Sequence, residues 1–358
     1  MKKLAITMGD PGGVGPEIII KALNSSEVRN HCYPLVIGDA HIMEEALSLL
    51  KLPIRLRIIK SPSESKPAKG TIELINIEET RKISLKATHK EMNVIPPSPP
   101  LGKGGRGDFQ IKKFKKNKPT AEGGRACVSY IKKAVELVLN KQVDGIVTAP
   151  ISKEALKMAG FTWPGHTEML ADLTNTKDYA MMLIGEPLRV ILVTIHTALK
   201  NVPDLITKQR LLNTIRLAKK ACDMLEIKNP RIAIAGLNPH AGEKGIFGDE
   251  EIKKIIPAVK DATKEGIPVS GPYPPDTVFY KAFKGEIDIV VCMYHDQGLI
   301  PLKMIAFDKG VNVTVGLPFI RTSPDHGTAY DIAWKGVANP LSMIEAIKVA
   351  VKLRKEII

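Results

Sequence analysis

Short apolar runs rich in β-branched residues alternate with segments of helical period along almost the whole chain, and this alternation narrows the fold more than any other feature. Strand-like runs fall at 3–8, 33–38, 54–59, 145–148, 190–194, 231–235, 287–293 and 311–315. Helix-like segments fall between them at 16–24, 40–50, 121–139, 208–225, 249–264 and 342–355. Strands separated by helices predict a mostly parallel sheet with helices on both faces. At 358 residues the chain exceeds what one compact core usually holds, so two α/β/α domains are expected. The first would comprise 1–125 plus 300–358 and the second 126–299, with the active site in the cleft between them.

One stretch breaks the pattern. Residues 94–118 carry Pro96, Pro97, Pro99 and Pro100 and then a Gly/Lys/Arg run, a composition that cannot bury a core and reads as an insertion. It also explains much of the charge. The chain carries a net +14, yet residues 86–118 alone hold nine Lys/Arg against two acids. The remainder is mildly basic, which suits a small anionic substrate. Aromatic residues are only 5%, and no helix-turn-helix, zinc-finger or RNA-binding motif is present, so no nucleic-acid partner is expected. No run of about 18 apolar residues suggests a membrane span. The first residues read as a strand, not a signal peptide. Cys32, Cys127, Cys222 and Cys292 are widely spaced, which predicts reduced thiols and a cytoplasmic location, not a disulfide framework.

Four clusters carry chemistry. Gly9–Glu17 (GDPGGVGPE) follows a strand and opens a helix, where glycines allow close backbone approach and a helix N-terminus favours anions. It lacks the third glycine of a dinucleotide fingerprint and the Gly-Lys-Ser/Thr of a Walker loop. Four of the eight histidines, His166, His196, His240 and His295, lie in Gly/Pro turns or just after strand-like runs, where doubly wound folds place ligands. Each alone could be a surface residue; three at equivalent strand ends point to a divalent metal. Lys303 and Arg321, on opposite sides of a strand-like run with Asn312, offer a point charge and a planar fork for phosphate or carboxylate. Finally, His326, Gly327, Thr328 and Asp331 sit in a polar loop, where Gly327 permits backbone approach and an acid such as Asp331 can accept hydrogen bonds from ribose hydroxyls.

Together, MGDPGGVGPE (8–17), VTAPISK (147–153), PGHTEMLA (164–171), GLNPHAGE (236–243), GPYPPDT (271–277), MYHDQGLIPLK (293–303), NVTVGLPFIRTSPDHGTAYDIA (312–333) and the closing Ala-Asn-Pro helix resemble the 4-hydroxythreonine-4-phosphate dehydrogenase family. The resemblance implies the paired α/β/α architecture of isocitrate and isopropylmalate dehydrogenases. It implies His196, His240 and His295 as ligands of a zinc, cobalt or magnesium ion, in a site shared between the two subunits of a homodimer. It implies His166, Thr167, Lys303, Asn312 and Arg321 as substrate contacts. NAD, with NADP as the alternative, would meet His326, Gly327, Thr328 and Asp331. The reaction implied is oxidation of 4-phosphohydroxy-L-threonine at C3, followed by loss of carbon dioxide to give 3-amino-2-oxopropyl phosphate on the way to pyridoxal 5′-phosphate. Oxidation of 4-phospho-D-threonate or erythronate is the alternative. Asp276 is a candidate proton acceptor. The main departures are the 94–118 insertion and Trp334, which stands where related loops carry a glycine.

Overall fold

A computed structural model describes residues 1–78 and 115–354. Twelve strands occur in chain order: β1 (Lys2–Thr7), β2 (Cys32–Gly38), β3 (Arg55–Ile59), β4 (Thr71–Asn76), β5 (Gly145–Thr148), β6 (Ala180–Gly185), β7 (Leu188–Leu192), β8 (Ile232–Ala235), β9 (Val269–Tyr273), β10 (Ile289–Cys292), β11 (Val311–Val315) and β12 (Ile320–Pro324). The helices are α1 (Gly15–Asn24), α2 (Ser26–Arg29), α3 (Ala40–Leu50), α4 (Ala121–Leu139), α5 (Lys153–Met158), α6 (His166–Leu173), α7 (Val202–Leu205), α8 (Lys208–Met224), α9 (Ile256–Lys264), α10 (Pro275–Phe283), α11 (His295–Ala306) and α12 (Leu341–Lys352).

The strands form one continuous sheet in the order β3-β4-β2-β1-β5-β12-β11-β6-β7-β10-β8-β9. The run from β3 to β12 is parallel, and so is the run from β7 to β9. Antiparallel pairings of β11 with β12, β11 with β6 and β6 with β7 join the two runs. The expectation of a mostly parallel α/β sheet therefore holds, with its reversal at the centre.

Several helices start where a side chain can hold a free N–H. Asp39 accepts from His41 and Ile42, Thr120 from Gly123, Ser152 from Ala155 and Thr207 from Arg210. Alternation along the strands then sorts the core. On one face, Leu183, Val190, Leu192, Val290 and Cys292 pack under Val278 and Ala282 of α10 and Leu299 and Leu302 of α11. On the other, Met182, Ile184, Ile191, Ile289 and Val291 meet Leu211, Ile215 and Ala218 of α8. Each large apolar side chain so buried contributes about 1.5–3 kcal/mol. The outer side of α11 is unusual: Ile300, Met304 and Phe307 are 60%, 81% and 73% exposed in one chain.

The four cysteines are free and buried. Among the described residues no helix is long and apolar enough to cross a membrane. Of the 94–118 insertion, only 115–118 lies within the described residues. The helix expected over 249–264 instead begins as a π-helical turn (Glu251–Ile255) and continues as α9, because Pro257 has no N–H to extend the regular ladder.

Candidate active site

Arg321 is the anchor. It is the second residue of β12 and is 1% exposed, so its guanidinium must find partners inside. Nη2 donates to Thr148 Oγ1 at 2.7 Å, and Nη1 donates to Thr314 Oγ1 at 3.0 Å and Asn312 Oδ1 at 3.3 Å. Asn312 and Thr314 lie two apart on β11, hence on one face of the sheet. Nε is sealed and without a hydrogen-bond partner. Burial pulls the group down to about 9, opposed by the nearby Glu168 charge, which still leaves it cationic at neutral pH.

Around Arg321 opens a cleft of about 330 Å³ whose lining includes His166, Thr167, His196, His295, Lys303, Asn312, His326 and Gly327. Lys303 and Arg321 fall on either side of β11 in the chain, as expected. Lys303 lies on α11, with Nζ 3.4 Å from Asp325 Oδ2 just beyond β12. His166 opens α6, and Thr167 Oγ1 sits 3.4 Å from Thr314 Oγ1. His166 Nε2 is sealed from solvent with no hydrogen-bond partner. Desolvation first, and the Arg321 charge second, hold this imidazole well below the usual histidine range, so it is neutral.

His196 and His295 face each other with ring centroids 5.7 Å apart. His196 follows β7; desolvation, then Lys153, and also His295 lower its pKa against the opposing pull of Glu168. His295 opens α11, its Nδ1 2.7 Å from Asp296 Oδ1. That engagement leaves Nε2 as the free nitrogen, the arrangement seen when a carboxylate orients a metal-binding imidazole. The pair thus fits part of a metal site. Among the described residues, no group of three or more His, Cys, Asp or Glu within this one chain is placed to hold an ion.

His240 lies outside the cleft lining. It is exposed, with its ring 6.1 Å from that of Phe247. Residues His240, Ala241, Gly242, Glu243 and Lys244 all have positive φ, from 43° to 80°, a left-handed turn that costs about 1–2 kcal/mol for each residue with a side chain. A buried carboxylate holds it: Glu251 accepts from the N–H groups of Leu237 and Asn238, both at 2.8 Å, and from Asn238 Nδ2 at 2.9 Å. Asp276 is exposed in the first turn of α10, also outside the lining.

The loop after β12 divides. His326 and Gly327 line the cleft, whereas Thr328 turns to the Gly-rich segment, its carbonyl accepting from Val14 N–H at 3.0 Å. Asp331 is exposed beyond it, outside the cleft lining. Buried Asp10 ties the two loops together, accepting from Gly12 N–H at 2.8 Å and from Tyr330 Oη at 2.6 Å. Gly9 has φ 72°, and a Cβ there would meet Pro150 O at 2.4 Å, so the turn requires glycine.

Sequence reasoning missed three charged residues of the cleft: Lys153, Glu168 and Asp325. All stand inside the quoted motifs, and proximity to His166 and His326 in the chain was the available signal for the latter two. A larger cavity of about 680 Å³ opens by Arg29, Tyr33 and Lys69, at the N-terminal ends of β2 and β4. No histidine is among its described lining residues, and it lies at the end of the parallel strands opposite to where such folds bind ligands.

A family model described as pyridoxal phosphate biosynthetic protein PdxA matches residues 30–350. The chain is 45% identical to the 4-hydroxythreonine-4-phosphate dehydrogenase of Desulforapulum autotrophicum, over 97% of this chain and 94% of that protein. It is 44% identical to the D-threonate 4-phosphate dehydrogenase of Pectobacterium atrosepticum, over 98% and 99%. A crystal structure of a 4-hydroxythreonine-4-phosphate dehydrogenase from Klebsiella pneumoniae aligns with a TM-score of 0.83 at 42% identity, covering 99% of this chain and 98% of that one.

Proposed function

The chain belongs to the pyridoxal phosphate biosynthetic protein PdxA family, and from that premise we propose that it is an NAD-dependent dehydrogenase of 4-phosphohydroxy-L-threonine. It oxidises the C3 hydroxyl to a 3-oxo acid, which loses carbon dioxide to give 3-amino-2-oxopropyl phosphate. The observation that carries this reading is the joining of Arg321, Lys303, His166 and the His196–His295 pair in one cleft of about 330 Å³.

His196 and His295 would hold a divalent ion, which would supply positive charge to stabilise an alkoxide, and a bound nicotinamide would supply the hydride acceptor. The chain's own residues bind and orient. Arg321 is fixed by Thr148, Thr314 and Asn312 before any ligand arrives, so little ordering is needed to grip an anionic group. Lys303 adds a second cation, steadied by Asp325. Neutral His166 offers an unused nitrogen, and its burial keeps water from that side. His326 and Gly327 bring the proposed cofactor loop to the edge of the same cleft.

We read the active form as a homodimer, a reading supported by features of the single chain. Among the described residues no third His, Cys, Asp or Glu joins the histidine pair, and exposed His240 lies outside the cleft lining, near exposed Ile246 and Phe247. The same α11 that carries His295 and Lys303 exposes Ile300 and Met304, and Phe307 at its C-cap extends this apolar stripe. Such a stripe suits a second copy of the chain, which would bring its His240 to the pair.

The near-equal likeness to a D-threonate 4-phosphate dehydrogenase supports a second reading, with 4-phospho-D-threonate or erythronate as substrate. Both substrate classes share phosphate, carboxylate and a secondary alcohol. NADH formation measured with each in parallel decides between them: turnover with the amino acid alone establishes the first reading, and turnover with the sugar acid alone overturns it in favour of the second.

A further inference from the structure

We propose that Trp334, Lys116 and Asn117 form a clamp that positions the 326–334 loop for its nicotinamide cofactor. The inference rests on the reading of that loop as the cofactor site.

Trp334 is anchored twice. Its backbone N–H donates to the Glu17 carboxylate, and its Nε1 donates to Pro11 O at 3.1 Å. One residue thereby ties the loop to both the Gly-rich turn and α1. Its φ of 60° is left-handed, a conformation that a bulky side chain keeps only where its surroundings impose it. Lys116 Nζ lies 3.7 Å from the centroid of the indole ring, and the same ammonium is 2.5 Å from Glu45 Oε2 of α3. Asn117 completes the bridge: its backbone N–H donates to Gly12 O at 3.0 Å and its Nδ2 donates to Ala333 O at 2.8 Å.

Two adjacent residues therefore connect three distant stretches: the Gly-rich turn, α3 and the end of the 326–334 loop. None of the three clamp residues lines the substrate cleft. A loop already held in place loses less freedom when a ligand binds it. Releasing the clamp leaves the cofactor contacts themselves intact but adds the ordering of the loop to each binding event. The consequence falls on cofactor affinity, not on turnover at saturating cofactor.

The test uses Lys116→Met, Asn117→Ala and their combination, with Trp334→Phe as a further variant that leaves a smaller aromatic ring under Lys116 and loses the bond to Pro11. The chain has two tryptophans, so in a Trp163→Phe background the emission of Trp334 reports NAD binding directly. The double variant should bind NAD about tenfold more weakly and show a matching rise in its KM. Its kcat and its KM for the phosphorylated substrate should stay at wild-type values, with only the few-degree loss of melting temperature that Ala at the left-handed Asn117 position brings. Wild-type NAD affinity in the double variant overturns the clamp alone. A joint fall in kcat, both affinities and melting temperature overturns it too, by showing a merely structural role. Failure of the unaltered protein to bind NAD or NADP overturns the cofactor reading and the clamp with it.

Discussion

Arg321 Nη2 donates to Thr148 Oγ1 at 2.7 Å, a bond that joins the second residue of β12 to the last residue of β5. With Thr314 and Asn312 it fixes a buried guanidinium at the floor of the cleft. Lysine has no planar fork: its donors sit on one nitrogen, which cannot take the places of both Nη2, at Thr148, and Nη1, at Thr314 and Asn312. Arg321→Lys should therefore lower kcat/KM by roughly a hundredfold, mainly through KM for the phosphorylated substrate. Steady-state kinetics check this; an unchanged KM would remove Arg321 from substrate binding.

Asp296 engages His295 Nδ1. Because Asp296 is exposed, Asp296→Asn should leave the fold intact while weakening divalent-metal affinity by about 10–100-fold. Competition against a chromogenic chelator measures it. Equal affinity in both proteins would mean that the carboxylate does not orient the ring.

His166 is held neutral in the folded chain, whereas an unfolded chain protonates an ordinary histidine near pH 6.5. Between the two pKa values the unfolded state binds the extra proton. Stability therefore rises with pH through that window and levels off above about 6.5. His166→Asn should flatten the rise in melting temperature between about pH 5 and about pH 7. Identical profiles for the two proteins would contradict a buried neutral His166.

The left-handed turn at His240 depends on Glu251 and Gly242. Gly242 has φ 80°, and a Cβ there would lie 2.7 Å from Glu251 Oε2. Gly242→Ala should cost about 1–3 kcal/mol and Glu251→Gln a similar amount, since one carboxylate oxygen becomes an NH2 that faces the Asn238 Nδ2 donor and the charge that strengthens the two backbone bonds is lost. Thermal melts give the size, and hydrogen exchange confined to 237–245 gives the place. Protection unchanged in both variants would mean that neither residue holds the turn.

The exposed stripe on α11 makes its own test. Met304→Glu places a charge at a position 81% exposed in the single chain, so a monomer tolerates it. Buried between two copies it should instead break the dimer and abolish metal retention. Light scattering coupled to size exclusion reads the mass; an intact dimer would move the interface elsewhere.

Much of this architecture is legible in the sequence where a capping side chain precedes an apolar period, as at Asp39 before α3 and Thr120 before α4. β12 is not, because Arg321, Thr322, Ser323 and Pro324 read as a polar loop although all are buried. Burying Arg321 depends on hydroxyls and an amide from β5 and β11, and burying Thr322 on the carbonyl of Ala346 in α12, partners that no local window contains. α11 hides behind Gly298 and Pro301. β6 hides in Ala180-Met181-Met182, which carries little β-branched signal. At the site, histidines in loops pointed to metal chemistry, but the sequence alone does not reveal that His196 and His295 converge while His240 turns outward. Trp334 illustrates the same limit: its glycine-like backbone is sustained by Lys116 and Pro11, which lie more than 200 residues away in the chain.

The most direct measurement is NADH formation from 4-phosphohydroxy-L-threonine by the enzyme as isolated, after chelation, and after a divalent ion is restored. The account predicts turnover that disappears with the metal and returns with it in the unaltered protein, and that neither state supports in His196→Ala. Undiminished turnover in the chelated enzyme, matched by His196→Ala, would contradict it.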